Sequence, residues 1–208
     1  MAEDHSLPTV DGVTPQSKYE SPVTGEEHNE MRSLTLDATP DYRPSRGQPP
    51  ERVRRNFVMA GSEAVIVLDD IVVTEGAVGN VVTRWQSAVK PQVASDGRSA
   101  RFVGKHGDVW VQTFGPTLLI KAKGPREFGK GWVYRDWAKT GRVQWYTLTG
   151  SYAAVEAEPL ITVFTRGDRG SERPIVAVSR VAGNLQVKLP SGKTVTFMHS
   201  DAGWQWQR

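Results

Sequence analysis

The stretch RRNFVMAGSEAVIVLDD, Arg54–Asp70, decides the fold class of this 208-residue chain. Strand-forming aliphatic and aromatic residues lie on both sides of Gly61-Ser62, and a glycine-serine pair between two such runs favours a tight turn. The run from Ala64 to Leu68 is continuously apolar, which is typical of a strand that is covered on both faces. The sequence therefore predicts a β-hairpin within a larger sheet.

Short strand patterns continue outward from this hairpin in both directions. Upstream, SLTLDAT (Ser33–Thr39) alternates apolar and polar residues, which is the period of a half-buried strand. Downstream come VTRWQSAV, SARFVG, DVWVQTF, TLLIKAK, VQWYTL, PLITVFT, PIVAVSRV, LQVKLP, KTVTFMH and WQWQR. No window repeats apolar residues at helical spacing over three turns. The pattern predicts an all-β fold, an antiparallel β-sandwich with almost no helix.

The composition agrees with many short strands and turns, since the chain has 20 glycines and 13 prolines. The length suits one domain, so we expect a single β-sandwich over residues 1–208, with loop-rich leading strands in 1–50 and the main sandwich in 51–208. The absence of cysteine excludes disulfides and thiolate metal sites. No signal peptide is visible, and no stretch approaches the roughly 18 apolar residues of a membrane span.

The charge pattern leaves two interpretations open. The net charge is +3, and the basic residues are spread among strands and loops. This distribution fits an ordinary solvated surface, or a groove for a polyanion such as an acidic polysaccharide or nucleic acid. The sequence has no basic helix and no RNP-type aromatic motif, so we expect no nucleic-acid partner.

Local catalytic and metal motifs are missing from the sequence. There is no G-x-S-x-G nucleophile pattern. Asp69 and Asp70 are adjacent at the end of an apolar strand, so their side chains should point to opposite faces, which suits a structural role better than a two-carboxylate glycosidase pair. No short-range zinc spacing exists among the four histidines, His5, His28, His106 and His199. His28 lies in the acidic GEEHNE and is interpreted as a solvated loop residue.

One loop combines aromatic and basic residues in a way that suits an acidic sugar. In REFGKGWVYRDWAKTGR (Arg126–Arg142), Trp132 and Trp137 accompany Lys130 and Arg135. Indole rings can stack on sugar rings, and cations can pair with a sugar carboxylate. These four residues are therefore the candidate substrate-binding residues; the alternative is a loop held in place by two aromatic anchors.

The remaining tryptophans are assigned to packing. Trp85 and Trp110 lie inside alternating strand patterns, so we expect them in the core. Trp204 and Trp206 alternate with glutamines and are predicted to cover one face of a closing hairpin.

The order of these motifs resembles that of the heparinase II/III-like polysaccharide lyases. HSLPTVDGVTPQ (His5–Gln16) is similar to the family's His-Asn-x-Pro-x-x-(Asn/Asp)-Gly strand and turn, with Ser6 in place of the asparagine. Segments similar to SLTLDATPDY, to the hairpin RRNFVMAGSEAVIVLDD and to the tryptophan-containing strand VTRWQSAV follow in the same order. The resemblance extends from His5 to about Gly167, and the tail adds little to it.

The resemblance implies the C-terminal β-sandwich region of an enzyme that cleaves uronic-acid polysaccharide by β-elimination. In this family an α-helical toroid precedes the β region and supplies much of the catalytic machinery. The toroid is absent from this sequence. The resemblance therefore implies a module that is inactive alone, either a fragment or the partner of a separately encoded toroid.

The resemblance also implies a location and a metal. Periplasmic or secreted proteins carry this fold in the family, and some members hold a structural zinc ion, for which His5 would be a remnant ligand. Two alternatives to a lyase module stay open: a stand-alone carbohydrate-binding sandwich that uses the loop around Trp132 and Trp137, and a structural sandwich with no sugar ligand.

Overall fold

The computed structural model describes residues 7–15, 22–42, 49–74, 79–116, 119–127, 144–154 and 158–207. Within these ranges the chain forms sixteen β-strands and a short 3-10 turn, Thr39–Asp41, and no α-helix. The strands are β1 Thr9–Val10, β2 Val23–His28, β3 Met31–Asp37, β4 Arg52–Ala60, β5 Ala64–Val72, β6 Asn80–Ser87, β7 Pro91–Val93, β8 Ser99–Val103, β9 Asp108–Phe114, β10 Leu119–Glu127, β11 Gln144–Ala153, β12 Leu160–Gly167, β13 Ala177–Val181, β14 Asn184–Lys188, β15 Thr194–Ser200 and β16 Gly203–Gln207.

The strands form three antiparallel sheets. The largest has eight strands in the order β2-β3-β4-β5-β12-β9-β8-β7. One four-stranded sheet has the order β1-β6-β11-β10, and a second has the order β13-β14-β15-β16. The all-β, antiparallel fold predicted from the sequence is therefore confirmed. In the described part of the chain, no helix has the length and apolar character needed to cross a membrane.

The hairpin at the centre of the sequence argument is β4–β5, in the middle of the eight-stranded sheet. Arg52 pairs with Val72 at one end and Ala60 with Ala64 at the other. Gly61, which opens the turn, has a φ of 58°, a left-handed conformation that glycine adopts without a steric penalty. The predicted hairpin and its turn are thus confirmed.

The eight-stranded sheet is covered on both faces, which explains the continuous apolar run in β5. One face packs on the β13–β16 sheet through buried Ile66, Leu68, Phe197 and Trp204. The opposite face packs on the β1-β6-β11-β10 sheet in a second cluster. The fold therefore has three layers of sheet, with β5 in the central one.

Asp69 and Asp70 point to opposite faces of this central layer, as their adjacent positions predict. Asp69 forms a buried ion pair with Arg55. On the other face, Asp70 pairs with Arg52 at 2.8 Å and accepts a hydrogen bond from the backbone N–H of Trp204 at 3.0 Å. The structural interpretation of this carboxylate pair is confirmed.

The first strands follow the sequence expectation only in part. SLTLDAT lies on β3 and the 3-10 turn, and Leu36 packs against the second core cluster. Leu34, however, is 43% exposed. β2, in which His28 is the last residue, is a strand where the sequence suggested a loop. All six residues of β2 are exposed, so backbone pairing with β3 holds this edge strand in the sheet, and its sequence shows no alternation of apolar and polar residues.

Candidate functional site

The candidate site residues chosen from the sequence lie outside the described residues. This applies to Lys130, Trp132, Arg135 and Trp137, and also to His5. Their predicted roles in substrate binding and in a remnant zinc site stay predictions. Among the residues that the structure describes, no group of three or more histidine, aspartate or glutamate side chains could hold a metal ion.

The motif that carries the resemblance is described from Leu7 onward. Thr9 and Val10 form β1, the edge of the first four-stranded sheet, where Thr9 pairs with Val82 of β6. The carboxylate of Asp11 accepts hydrogen bonds from the backbone N–H groups that begin β6, at 2.7 and 3.2 Å. The hydroxyl of Tyr42 donates to the carbonyl of Pro8 at 2.5 Å. The segment therefore joins the sheet as a strand followed by a turn.

The same four-stranded sheet carries the two strands that flank residues 128–143. β10 and β11 pair from Leu119–Ser151 to Glu127–Gln144, with a bulge between Lys123 and Arg126. β11 pairs on its other side with β6. Side chains alternate between the two faces of a strand, and directly opposite residues share a face. The register therefore fixes which side chains of the three strands lie together.

The inner face of this sheet is apolar and belongs to the core. Val81, Leu148 and Tyr152 are buried on it, and Trp85 packs partly buried against the same cluster. Trp85 meets Phe164 of β12 edge to face, with ring centroids 5.0 Å apart. The prediction that Trp85 is a core residue is confirmed. Trp110 lies elsewhere, on β9, half-buried and 5.3 Å from the guanidinium of Arg101.

The outer face brings together cations, hydroxyls and an amide from distant parts of the sequence. One row across the strands is Arg84, Thr149 and Lys121, and the next is Gln86, Thr147 and Lys123. We call these six residues the cationic face. The lysines are exposed, and Arg84 and the two threonines are half-buried.

The three cations of the cationic face are spread over the two outer strands of the three, β6 and β10. Arg84 and Lys121 are two strands apart, about 10 Å between Cα atoms, and Lys121 and Lys123 are about 7 Å apart along β10. The six residues include three cations and no carboxylate. The positive charge is therefore not neutralised within the face itself.

Hydrogen bonds between neighbouring strands hold two of the polar side chains in place. The guanidinium of Arg84 donates to the hydroxyl of Thr9 at 3.3 Å. The hydroxyl of Thr147 donates to the amide oxygen of Gln86 at 2.9 Å. The face is thus a partly ordered array of donors, which can bind carboxylate or sulfate groups and sugar hydroxyls.

A buried charged cluster lies behind this sheet, where it meets the central layer. Arg55 donates to Asp69 and lies 4.8 Å from the centre of the Trp85 ring. Burial would lower the pKa of Arg55, but attraction and hydrogen bonding to Asp69 outweigh it and raise this pKa. For the hydroxyls of Tyr42 and Tyr152, burial acts in the other direction and raises the pKa. Both phenols therefore stay protonated at neutral pH.

The three described histidines do not form a second reactive centre. His28 ends β2, His106 lies in the turn before β9, and His199 lies on β15 with its ring 4.9 Å from that of Trp204. All three are exposed, and they lie on different elements. The three histidines therefore do not form a cluster with one another in the described part of the chain.

The fold has counterparts among solved structures. A mutant of the heparan sulfate lyase HepC from Pedobacter heparinus superposes with a TM-score of 0.69 at 15% identity, over 98% of this chain. A heparinase III gene product superposes with a TM-score of 0.67 at 15% identity, and a further heparinase III with 0.66 at 11%, each over 92% of this chain. The chain has the fold of the corresponding region of these lyases, and the predicted resemblance is confirmed at that level.

The match is partial in length and is seen in structure rather than in sequence. This chain spans about 30% of the lyase chains that it superposes on. No protein-family model matches the sequence, and no curated protein matches it. The comparison therefore establishes the fold of a heparinase-like β module, and its activity is a separate question.

The cationic face could not be identified from the sequence by periodicity alone. Lys121 and Lys123 have the i, i+2 spacing of one strand face, and that signal is visible in TLLIKAK. Arg84 is 37 positions before Lys121 in the sequence. Only the pairing of β6 and β10 with β11 places Arg84 on the same face as the two lysines.

Proposed function

We propose that this chain is the C-terminal β module of a heparinase II/III-like lyase that acts on uronic-acid polysaccharide by β-elimination. In this proposal the module binds the acidic chain, and an α-toroid half supplies the remaining catalytic groups. The isolated chain does not turn over substrate. The observation that carries the proposal is the superposition of 92–98% of the chain on lyases named for heparan sulfate or heparin cleavage.

The cationic face supports the choice of an acidic polysaccharide. Three cations lie on one sheet face with threonine hydroxyls between them, and a uronate or sulfate group would find donors from two neighbouring strands. Lys130, Trp132, Arg135 and Trp137, in the segment that joins β10 to β11, are proposed to extend this binding surface with rings that stack on sugars.

Elimination chemistry gives a direct test of the activity. The product carries an unsaturated uronate that absorbs in the ultraviolet, so heparan sulfate, heparin, alginate and hyaluronan can each be assayed continuously. We expect no sustained product from the purified chain, and product when it is combined with a toroid half of the family. Sustained turnover by the chain alone would contradict the inactivity, and no turnover on any polymer with the toroid half would contradict the lyase assignment.

Binding is tested separately with the cationic face. The variant Lys121→Gln/Lys123→Gln should lose up to about thirtyfold in affinity for heparan sulfate oligosaccharides, since exposed ionic contacts contribute up to about 1 kcal/mol each. Its affinity should also depend less on salt, because fewer screened contacts remain. Lys188→Gln, at an exposed position at the end of β14 in the other four-stranded sheet, is the control and should bind like the wild type. Equal losses in both variants would indicate nonspecific attraction.

The alternative is a stand-alone carbohydrate-binding sandwich. The cationic face favours it as much as it favours a lyase module, since binding needs no second half. The two functions predict different results in the elimination assay when the chain is combined with the toroid half. A chain that binds heparan sulfate tightly yet never supports elimination is a binding module.

A further inference from the structure

A groove lies on the opposite side of the central sheet from the cationic face. It runs between β16, the edge of the β13–β16 sheet, and the strands β2 and β3 of the eight-stranded sheet. A cavity of about 280 Å³ occupies one part of it, and a second of about 710 Å³ lies toward the turn between β2 and β3. Trp206 lines both cavities.

The groove exists because the two sheets differ in width. β16 lies over β4 and is fastened to the central sheet by side chains: Asn56 donates to the carbonyl of Trp204 at 3.1 Å, and Asp70 accepts from its N–H. The eight-stranded sheet continues past this edge to β3 and β2. The face of those two strands that points toward β16 forms the floor, with Thr24, Ser33 and Thr35.

The groove does not suit an added peptide strand. A strand that joins a sheet edge needs a row of backbone donors and acceptors on that edge. On β16 the Trp204 amide bonds with Asn56 and Asp70, and the carbonyl of the preceding Ala202 accepts a hydrogen bond from Arg54. Because alternate residues of an edge strand point their backbone groups outward, the next outward N–H and C=O on β16 are those of Trp206. One residue offers too few hydrogen bonds to hold an added peptide strand.

The charges in the groove do not suit a polyanion either. The guanidinium of Arg54 is held by Asp37 through two hydrogen bonds of 3.0 and 3.1 Å. The ammonium of Lys193 pairs with Glu30 at 2.7 Å. Both cations are thus matched by carboxylates, so neither offers its full charge to an anionic ligand. An uncharged ligand does not need to compete with these ion pairs.

The remaining lining has the chemistry that binds sugar hydroxyls. Trp206 is a half-buried aromatic side chain that packs against the first core cluster, so it presents an apolar surface at fixed position. Thr24, Ser33, Thr35 and Gln205 line the same cavity. The Thr35 hydroxyl donates to the side-chain oxygen of Asn56 at 2.8 Å and can still accept a hydrogen bond from a ligand. We propose that this groove binds a neutral saccharide, with the Trp206 indole against a sugar ring and these polar groups on its hydroxyls.

The module would thus have two sugar-binding surfaces that differ in charge. The binding of a neutral saccharide in the groove does not depend on the lyase assignment. The cationic face attracts acidic polysaccharide in a salt-dependent way, whereas the groove binds uncharged sugar units with little dependence on salt. A polymer with acidic and neutral regions would engage both surfaces of the module.

The test is a titration of the full chain with three neutral pentasaccharides, of N-acetylglucosamine, of β-linked glucose and of α-linked glucose, at low and high salt. We expect at least one to bind with an affinity that changes less than twofold with salt. Thr24→Tyr fills the groove from an exposed strand and should weaken this binding at least tenfold. Val23→Tyr puts the same ring on the opposite face of β2 and should have no effect.

A second variant addresses the aromatic contact. Trp206→Leu should also weaken binding at least tenfold, and chemical shifts of core amides check that this variant is folded. The proposal is overturned if no neutral pentasaccharide binds at millimolar concentration, or if Thr24→Tyr binds as the wild type does. It is equally overturned if Thr24→Tyr abolishes heparan sulfate binding instead, which would make the groove a polyanion site, or if an extended peptide displaces the sugar.

Discussion

The guanidinium of Arg55 and the carboxylate of Asp69 form a bidentate ion pair within the central sheet, on the face that packs against the β1-β6-β11-β10 sheet. Nε donates to Oδ1 at 2.6 Å and Nη2 to Oδ2 at 2.9 Å. The two side chains are only 2% and 1% exposed. Arg55 on β4 is directly opposite Asp69 on β5. The pairing of these two strands therefore places both charges in the interior.

Breaking this pair at one side should be strongly destabilising. Arg55→Met leaves the Asp69 carboxylate buried without its partner, and such changes cost about 3–5 kcal/mol. The double variant Arg55→Met/Asp69→Leu removes both charges and should recover most of that loss. Urea unfolding of the wild type, Arg55→Met, Asp69→Leu and the double variant gives the free energies of unfolding that measure both effects.

An exposed pair provides the control for this cycle. Arg32 and Glu27 are 68% and 62% exposed, and Arg32→Met should change the free energy of unfolding by less than about 1 kcal/mol. If Arg55→Met were as mild as Arg32→Met, burial would not be what makes the central pair costly to break.

Two buried tyrosines near this pair should respond differently to loss of their hydroxyls. The hydroxyl of Tyr152 is buried and has no hydrogen-bond partner among the described residues, so Tyr152→Phe should be neutral or slightly stabilising. Tyr42 donates to the carbonyl of Pro8, so Tyr42→Phe should cost about 1–3 kcal/mol. Thermal or urea unfolding ranks the two variants, and the reverse order would show that Tyr152 is the better-satisfied group.

Stability should decline in acid through Asp108. A hydrogen bond from the backbone N–H of Gly170, together with Arg101, lowers the pKa of this carboxyl despite the cost of burial. The lowered pKa means that the stabilisation is present above the unfolded value of about 3.9 and is lost as the pH falls through the folded value. Asp108→Asn should therefore be less stable at pH 7, and its stability should decline less than that of the wild type as the pH falls below about 4.

Urea unfolding as a function of pH tests the role of Asp108. The exposed Asp168 is the control, and Asp168→Asn should follow the wild-type curve. An acid decline of the same steepness in Asp108→Asn would assign the effect to other carboxylates.

The leading strands should open before the central hairpin. β2 is an edge strand with all six residues exposed, so its pairing with β3 can break without uncovering the core. On β3 the N–H of Asp37 bonds to the carbonyl of Pro22, so by strand alternation the N–H groups of Ser33 and Thr35 also bond to β2. The amide hydrogens of Ser33 and Thr35 should exchange faster than those of Val65 to Leu68. Equal protection in both segments would mean that the leading strands unfold only with the whole protein.

The sequence by itself determined the fold class and the central hairpin. Alternation of apolar and polar residues, glycine turns and the apolar run in β5 indicate local conformation and burial. These signals do not depend on which strands become neighbours in the sheet. The opposite orientations of Asp69 and Asp70 followed for the same reason, since neighbours in a strand always face opposite ways. The strand character of β2 was not visible, because its side chains are exposed and only its backbone is paired.

The tertiary structure alone decided which surfaces the strands share. Arg84, Thr149 and Lys121 become neighbours through the register of three strands from separate parts of the chain, and register between distant strands depends on how their inner faces pack. The Trp206 groove arises from a difference in width between two sheets. Local sequence encodes the strands, but only packing of the assembled layers determines where one sheet stops above another.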